Sequence, residues 1–408
     1  MRMTIAAKSA PKARRPWLWV LLASVVMTGL YLAAMIFLPA PAPILNQVVF
    51  SGKLDTGTPP KIDWPAGQQA AVGAIGFDVL ASNGSDTPAP TASIAKVIAS
   101  LAILKKHPLE LGESGPTITL TASDVAIYQD YVAMGGSVAK VSAGEQISEY
   151  QALQEMLIPS ADNMAKTMAI WAFGSESAYN DYANQMVADM GLKNTHVADA
   201  SGISASTVST AKDLVKIGEQ ALATPVIAQI VSQTEATVPV AGKIVTTNNV
   251  MGQSGIDGIK TGHTNASGGC FLFSATRDVS GAKVKIIGVI MGAPSIDTAR
   301  ASAPKLIDAA YSGFNQVTAL DAGQEVGTVY VPWAKAVKIT AQDSLAEVVW
   351  GGDDMSLALS MEPSAQAGQA GVAVFDGKSD LLLQNQSLPA PSVWWRVTHP
   401  LEIVRSVL

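Results

Sequence analysis

Hydrophobic and polar positions follow three different patterns along this chain. An uncharged apolar run fills residues 17–38. Between residues 70 and 316, segments with apolar positions three or four apart come first and short apolar runs follow, whereas beyond residue 317 only short apolar runs occur. This order predicts an α+β fold in which helices pack on an antiparallel sheet, with a small C-terminal all-β domain and an N-terminal transmembrane helix.

Capping and turn residues indicate where these elements begin and end. Ser148 and Gln151 form a capping-box pattern, Pro159 ends that helix, and Gly191 ends a later one. The predicted helices cover residues 93–105, 148–158, a segment starting near 163, 176–190, 210–222 and 305–314. The predicted strands cover residues 70–80, 258–261, 270–276, 283–291, 326–331, 336–340, 346–350, 357–361, 371–375 and 381–383.

The apolar run is long enough to cross about 30 Å of hydrocarbon as a helix. Residues 1–16 before it carry five basic side chains and no acidic one, which favours a cytoplasmic N-terminus and an extracytoplasmic body. A cleaved secretory signal is the alternative, because Ala40-Pro41-Ala42 fits a cleavage pattern. The length of the run favours an uncleaved, single-pass anchor in the cell membrane.

The elements divide the chain into six segments. These are a basic cytoplasmic tail (1–16), the transmembrane anchor (17–38), a linker (39–65), a helix-and-sheet domain (66–316), the small β domain (317–390) and a C-terminal tail (391–408). The tail contains Trp394-Trp395-Arg396. It is expected either to contact the membrane interface or to pack against the β domain.

Charge and composition exclude several classes of partner. The chain has 27 basic and 33 acidic residues. Without the five basic residues of the tail the body is acidic, so no nucleic-acid partner is expected. Cys270 is the single cysteine and cannot form an internal disulfide, and its apolar neighbours indicate a buried thiol. The four histidines show no paired spacing, so neither a metal site nor a cofactor is predicted.

A serine and a lysine one helical turn apart form the first candidate for chemistry, because the amine can take the hydroxyl proton. Six S-x-x-K tetrads occur in the sequence. Ser93 and Lys96 are favoured, because Ser93 opens a strongly amphipathic helix whose dipole stabilises negative charge on the serine oxygen. The other tetrads fall in the tail, in loops or turns, before a helix cap, or across a proline; they begin at Ser9, Ser137, Ser209, Ser280 and Ser302.

Two further motifs accompany this tetrad. Lys260-Thr261-Gly262 is the single K-[ST]-G in the chain, at the end of a predicted strand, where a lysine and a hydroxyl can hold a carboxylate and glycine lets a substrate approach. Ser160-Ala161-Asp162-Asn163 lies between two predicted helices. S-x-x-K, S-D-N and K-T-G together are a catalytic set of penicillin-binding proteins and class A β-lactamases.

With these motifs, residues 70–316 resemble the serine-type D-Ala-D-Ala carboxypeptidases among the low-molecular-mass penicillin-binding proteins. Further similarity lies in the segment 258–264, in Gly202-Ile203 and in Ser209-Thr210-Ala211. The resemblance implies a transpeptidase-like catalytic domain that acts on the D-Ala-D-Ala end of peptidoglycan stem peptides, needs no cofactor and is acylated by β-lactams. A class A-like β-lactamase and a non-catalytic wall-binding homologue are the alternatives.

The resemblance also implies roles for individual residues. Ser93 is the acylated nucleophile, Lys96 its base, and Ser160 relays a proton to the leaving amine. Lys260 and Thr261 bind the terminal carboxylate, Gly262 lies beside them, and the backbone N–H groups of Ser93 and His263 form the oxyanion hole. Because the reference pKa of lysine is near 10.4, Lys96 needs burial or a nearby like charge, which Lys260 could supply.

One position departs from the family pattern. The family has asparagine as the third residue of the middle motif, whereas this chain has Asp162, followed by Asn163. An ionised aspartate only accepts hydrogen bonds, and it favours the charged form of Lys96. Either Asn163 takes the role, or Asp162 performs it differently, or the enzyme is impaired. Arg300 either corresponds to an arginine near the family's carboxylate-binding site or is a surface residue of a helix, and the poor local match favours the surface residue.

Overall fold

The computed structural model describes residues 16–47, 54–65, 69–84, 86–362, 368–377 and 379–407. The predicted basic tail lies outside these ranges except for Pro16. The helices are α1 (Pro16–Phe37), α2 (Ala95–Lys106), α3 (Ala122–Ala133), α4 (Glu149–Leu157), α5 (Asp162–Phe173), α6 (Glu176–Asp189), α7 (Ala211–Ala223), α8 (Pro225–Val231), α9 (Ile296–Tyr311), α10 (Val393–Thr398) and α11 (Pro400–Arg405).

The strands are two to twelve residues long. They are β1 (Ile44–Gln47), β2 (Gln69–Ala74), β3 (Asp78–Asn83), β4 (Ala89–Pro90), β5 (Thr117–Thr119), β6 (Gln146–Ser148), β7 (Val208–Ser209), β8 (Glu235–Val238), β9 (Gly242–Val245), β10 (Ile256–Thr264), β11 (Gly268–Val279), β12 (Ala282–Ala293), β13 (Phe314–Leu320), β14 (Glu325–Val331), β15 (Ala334–Ala341), β16 (Leu345–Trp350), β17 (Leu357–Met361), β18 (Gly368–Phe375) and β19 (Ser379–Asn385).

The described residues form two compact units. The larger unit contains residues 56–316 and 348–353, and the smaller unit contains the remainder. In the larger unit an antiparallel sheet has the strand order β10-β11-β12-β2-β3. Its central strands are buried on both faces. Phe271 and Phe273 pack in one core with α9, while the alternate residues Cys270 and Leu272 belong to the core of the other helices.

Side-chain capping starts the helices around the sheet as the sequence predicts. The Ser148 hydroxyl accepts a hydrogen bond from the N–H of Gln151, and the Gln151 side chain accepts one from the N–H of Ser148. Thr210 accepts in the same way from the N–H of Asp213 at the start of α7. Helix α4 ends at Leu157, two residues before the proline. The predicted capping box is therefore confirmed.

The closing helix of the larger unit was predicted wrongly. It begins at Ile296 rather than at residue 305, and it ends at Tyr311, so that Phe314 already belongs to β13. Ser295 caps it by accepting from the N–H of Thr298. Pro304 lies inside this helix. A proline there removes a hydrogen bond, but the helix buries a full apolar face against the sheet, formed by Ala299, Ala303, Leu306, Ile307 and Ala310.

Two strand predictions also need correction. Residues 70–80 form two strands rather than one, because Gly76, with φ of 83°, turns the chain between β2 and β3. The predicted linker contains β1, whose residue Ile44 pairs with Tyr330 of β14. A four-residue strand with mostly exposed side chains has no periodic signal, so only its partner strand could reveal it.

The smaller unit contains a second sheet, with strand order β1-β14-β15-β19-β18-β17, and the helix α1. Among the described residues α1 is the one unbent helix that is long and apolar enough to cross a membrane. At its C-terminal end, Arg396 donates to the carbonyl groups of Met35, Ile36 and Leu38 at 3.1, 3.3 and 2.7 Å. A cation there satisfies carbonyl groups that the helix leaves free.

The C-terminal tail packs on two elements of this unit. The Tyr31 hydroxyl of α1 donates to the carbonyl oxygen of Val397 at 2.6 Å. The ring of Trp395 lies edge-on against Trp333, which is between β14 and β15, at a centroid distance of 5.2 Å. The neighbouring Trp394 is 77% exposed. The tail therefore packs on the β domain and also covers the end of α1.

Glu155 is a buried acid in α4. Its side chain is fully buried, and neither carboxylate oxygen meets a hydrogen-bond donor among the described residues. Burial, and to a lesser degree the nearby carboxylate of Glu145, raises the pKa of Glu155 to about 8. In the unfolded chain the pKa is near its ordinary value of about 4.3. The unfolded state therefore loses this proton first, and the free energy of unfolding falls as pH rises between these values.

We expect Glu155→Gln to flatten this dependence. The variant should exceed the parent in free energy of unfolding by on the order of 3 kcal/mol at pH 9, and by little below about pH 5, because glutamine does not ionise. Urea unfolding at both pH values measures the difference. Glu110→Gln, at an exposed position, is the matched control and should show no such change. Equal pH dependence of parent and Glu155→Gln would contradict the assignment.

Candidate active site

Ser93 lies at the start of the helical segment that carries Lys96. It is the middle residue of a 3-10 turn, Ala92–Ile94, that continues directly into α2. Lys96 follows one turn later, and its Nζ donates a hydrogen bond to Ser93 Oγ at 2.9 Å. This contact allows the amine form of Lys96 to take the serine proton.

Lys96 is fully buried and has three hydrogen-bond acceptors. Besides Ser93, its Nζ donates to Oδ1 of Asp162 at 2.6 Å and to the carbonyl oxygen of Ser201 at 2.8 Å. An ammonium group that has lost its water needs such partners. The three contacts hold Nζ beside the serine oxygen and bring three separate stretches of chain together.

Asp199 holds the loop that supplies the Ser201 carbonyl group. Its Oδ2 accepts hydrogen bonds from the N–H and hydroxyl of Ser201 and from the N–H groups of the next two residues. A Cβ atom at Gly202 would lie 1.8 Å from the carbonyl oxygen of Ala92. Glycine therefore lets this loop approach the turn of the serine. Asp199 and Ser201 were not predicted as site residues, because no motif spacing in the sequence marks them.

Asp162 occupies the position opposite Lys96 in the middle motif. It is the first residue of α5, and its Oδ2 also accepts from the N–H of Ser137 at 2.9 Å. The side-chain amide of Asn163 donates to and accepts from the backbone of Ala139, both at 3.0 Å. Asn163 is thus engaged elsewhere, and the carboxylate of Asp162 contacts the lysine.

Ser160 lies in the turn between α4 and α5, two residues before Asp162. It is buried, and its φ of 66° places it in the left-handed region. Non-glycine residues in this region are uncommon and occur at sites where the surrounding structure holds the backbone.

The third motif lies on β10, next to the serine. Lys260 Nζ donates to the carbonyl oxygen of Thr261 at 3.0 Å, and the hydroxyl groups of Thr261 and Thr247 are 2.7 Å apart. A Cβ atom at Gly262 would lie 2.8 Å from the backbone nitrogen of Ser93. Because Gly262 has no side chain, β10 can pass beside the backbone of Ser93.

The charged groups around the site have opposite effects on the pKa of Lys260. Burial, and next the positive charge of Lys96, hold the pKa of Lys260 well below its usual value, while Asp162 acts in the opposite direction. Lys96 is itself fully buried, with the carboxylate of Asp162 at 2.6 Å from its Nζ. Three ionisable groups thus share one desolvated region.

A cleft of about 340 Å³ opens onto these residues. Its lining includes Ser93, Ser137, Asp162, Gly202 and His263. The side chain of His263 is exposed, whereas Lys96, Ser160, Lys260 and Thr261 are buried. Two larger hollows, of about 530 and 360 Å³, are lined by other parts of the chain and contain none of the motif residues.

Arg300 is not the surface residue that the sequence suggests. Only 12% of its side chain is exposed. Its Nη1 donates to the carbonyl oxygen of Thr247 at 2.8 Å, and Nη2 forms an ion pair with Asp297 at 2.7 Å. The predicted position of Arg300 is therefore wrong, because the helix begins earlier than expected and turns this residue towards the site.

No group of three or more His, Cys, Asp or Glu side chains within the described ranges could hold a metal ion. Cys270 is buried, and burial raises the pKa of its thiol. The polar side chains that line the cleft include those of Ser93, Ser137, Asp162, His263 and Thr264.

Comparison with known proteins agrees with this geometry. Residues 57–295 match the model of peptidase family S11, D-alanyl-D-alanine carboxypeptidase. The D-alanyl-D-alanine carboxypeptidase DacA of Escherichia coli K12 is 26% identical over 318 residues, which cover 77% of this chain and 73% of that protein. A D-alanyl-D-alanine endopeptidase of Pseudomonas aeruginosa is 29% identical over 231 residues, 53% of this chain and 71% of that protein.

The fold comparison extends beyond the matched domain. Penicillin binding protein 5 from Haemophilus influenzae aligns with a TM-score of 0.58 at 22% identity, over 81% of this chain and 98% of that structure. The predicted α+β transpeptidase-like fold with a C-terminal β domain is thereby confirmed, as is the resemblance on which it rested. The chain belongs to the serine-type D-alanyl-D-alanine carboxypeptidase family, peptidase family S11.

Proposed function

We propose that this protein hydrolyses the terminal D-alanyl-D-alanine bond of peptidoglycan stem peptides and releases D-alanine. The observation that carries the proposal is the 2.9 Å hydrogen bond from Lys96 Nζ to Ser93 Oγ, beside a cleft that Asp162 and His263 line. Family membership supports this substrate class. β-Lactams act as covalent inhibitors that acylate the same serine.

In acylation, Ser93 Oγ attacks the carbonyl carbon of the penultimate D-alanine, and its proton moves to the amine form of Lys96. The backbone N–H groups of Ser93 and His263 stabilise the oxyanion. When the tetrahedral intermediate collapses, the peptide bond breaks, Ser160 passes its proton to the departing nitrogen and regains one from Lys96, which returns to the amine form. Water then attacks the acyl-serine, and Lys96 takes a proton from that water. Lys96 gives this proton to Ser93 Oγ as the ester bond breaks, which regenerates the free serine.

The substrate's terminal carboxylate is held on the other side of the cleft. Lys260 and Thr261 bind it through an ammonium group and a hydroxyl group, and Gly262 leaves room for the substrate backbone. The carboxylate also compensates for the desolvation of Lys260, so substrate binding favours its charged form. Binding and proton uptake by Lys260 are therefore linked.

Acylation by penicillin tests the assignment of the nucleophile. The parent protein should form a long-lived adduct with a fluorescent penicillin, and Ser93→Ala should form none, because the attacking oxygen is gone. Intact-mass spectrometry measures adduct, site and lifetime together. Ser302→Ala, which removes the serine of another S-x-x-K tetrad on α9 outside the cleft lining, is the matched control and should still be labelled.

The same experiment separates the rival functions. Rapid, complete turnover of penicillin without a lasting adduct would indicate a β-lactamase. A parent protein that forms no adduct and releases no D-alanine would indicate a wall-binding homologue. A labelled Ser93→Ala variant would refute the assignment of the nucleophile.

Asp162 opposes the function of Lys96 as the base in this proposed reaction. Its carboxylate stabilises the ammonium form of Lys96, which cannot accept the serine proton, and it offers the substrate no N–H donor. An impaired or slow enzyme is therefore expected.

We expect Asp162→Asn to accelerate acylation by penicillin about tenfold or more at pH 7, because a charge pair at this distance contributes several kcal/mol even in a partly screened site. Stopped-flow labelling at pH 7 measures the rate. Asp162→Ala removes the charge without adding a donor and separates the two effects. Slower acylation of both variants would show that the carboxylate takes a productive part.

We propose further that α1 remains attached as a single-pass membrane anchor, with the catalytic domain outside the cytoplasm. The contacts of Arg396 and Tyr31 support this, because the tail forms hydrogen bonds with the helix that a cleaved signal would remove. The apolar length of α1 supports it as well.

The anchor is tested by the mass of the mature protein. The full-length chain should be recovered from the membrane fraction, should resist extraction by alkaline carbonate, and should keep residues 17–38. Arg396→Gln should lower the thermal stability of the detergent-solubilised protein by roughly 1–2 kcal/mol, since a charged donor to free helix carbonyl groups is lost. A soluble product that begins after Ala42 would show instead that α1 is a cleaved signal.

A further inference from the structure

Thr247 contacts three separate segments of the chain through its three polar groups. Its N–H donates to the carbonyl oxygen of Ile158 at 3.2 Å, in the turn that leads to Ser160. Its hydroxyl oxygen is 2.7 Å from that of Thr261. Its own carbonyl oxygen accepts from Arg300 at 2.8 Å. One half-buried residue outside the three motifs therefore contacts the middle motif's turn, the third motif and α9.

Arg300 contributes to this arrangement through Thr247. Its guanidinium group is largely buried and is held on one side by Asp297 at 2.7 Å. With one nitrogen on that carboxylate and another on the Thr247 carbonyl, the guanidinium fixes the backbone at residue 247. The ion pair with Asp297 also offsets the positive charge of Arg300 before any substrate binds. This places Arg300 in a supporting position behind the threonine pair.

When an anion is bound, the hydrogen bond between the hydroxyl groups of Thr247 and Thr261 has a preferred donor. A threonine hydroxyl has one proton to donate and can accept two hydrogen bonds. If Thr261 donates its proton to a carboxylate, the contact with Thr247 must be one in which Thr247 donates. A chain of donors that ends on a carboxylate is polarised along its length, so each hydrogen bond strengthens the next.

We propose that Thr247 is a positioning residue that directs the Thr261 hydroxyl at the substrate's terminal carboxylate and that Arg300 holds Thr247 in place. The inference rests on the proposed function, since it assigns a role in recognising the free carboxylate of a D-alanyl-D-alanine peptide. Thr247 itself does not touch the substrate. Its contribution is therefore to substrate selection rather than to the chemistry at the serine.

Thr247→Val tests this, because valine keeps the shape and both backbone contacts and removes the hydroxyl. We expect kcat/KM for a D-alanyl-D-alanine peptide with a free carboxylate to fall about five- to tenfold, chiefly through KM, as for the loss of one hydrogen bond that supports a charged contact. On the same peptide with an amidated C-terminus, Thr247→Val and the parent should have equal kcat/KM values. The ratio of the two kcat/KM values is the measured quantity.

Three further variants complete the test. Thr247→Ser restores the hydroxyl and should recover most of the parent's ratio. Arg300→Met should lower the ratio in the same direction, because the Thr247 carbonyl loses its donor. Thr237→Val, on the exposed side of β8, is the matched control and should leave the ratio unchanged. Melting curves of all variants show whether each remains folded. If Thr247→Val does not fold, Arg300→Met still tests whether Thr247 positions the Thr261 hydroxyl.

The outcomes distinguish this inference from the proposed function. A parent protein that is not acylated by penicillin and releases no D-alanine contradicts the proposed function. A parent that is active, together with a Thr247→Val variant whose ratio equals that of the parent, overturns the role of Thr247 alone. Equal losses on the free and the amidated peptide would also overturn it, because they indicate a general structural effect.

Discussion

The arrangement of the cleft depends on one buried amine that must find hydrogen-bond acceptors inside the protein. Lys96 is fully buried, and burying an unpaired charge costs several kcal/mol. Its three acceptors come from the turn before α2, the start of α5 and the Asp199 loop. Each of these segments must be in place for the amine to be satisfied. The constraint that satisfies Lys96 therefore also assembles the pocket around Ser93.

Close approach of backbones makes this assembly possible. Gly202 and Gly262 both lie where a side chain would collide with the turn that carries Ser93. Because neither residue has a Cβ atom, one loop and one strand reach the Ser93 turn closely. The backbone around Ser93 is thus enclosed by packed elements of the fold. The sheet below, buried on both faces, fixes the strand that carries Lys260.

Asp162 gives this assembly a negative charge at the position where the family motif has a neutral asparagine. The carboxylate contacts the lysine and the backbone of Ser137, so the site is well ordered. An ordered site is not necessarily a fast one, because an ion pair that stabilises the resting state raises the barrier to proton transfer. The family fold and the altered charge balance are consequently two separate properties of this chain.

Much of this could be read from the sequence, because the signals are local. The charge-free run of α1, the capping box of α4 and the three catalytic motifs each depend on residues close together along the chain. The fold class followed from the order of helical and strand patterns. What could not be read depends on distant partners: β1 has too few residues to show a period, and the start of α9 was hidden because Pro304 opposes a helix that burial against the sheet stabilises.

The sequence by itself determined which chemical groups are available, since an alcohol, two amines and a carboxylate in these motifs define the range of reactions. Only the tertiary structure decided which of them meet. It turned Asp162 rather than Asn163 towards Lys96, brought Arg300 inward, and linked Thr247 to Thr261. The reason is physical: hydrogen bonds act over about 3 Å, whereas the residues that form them here are up to 105 positions apart in the chain.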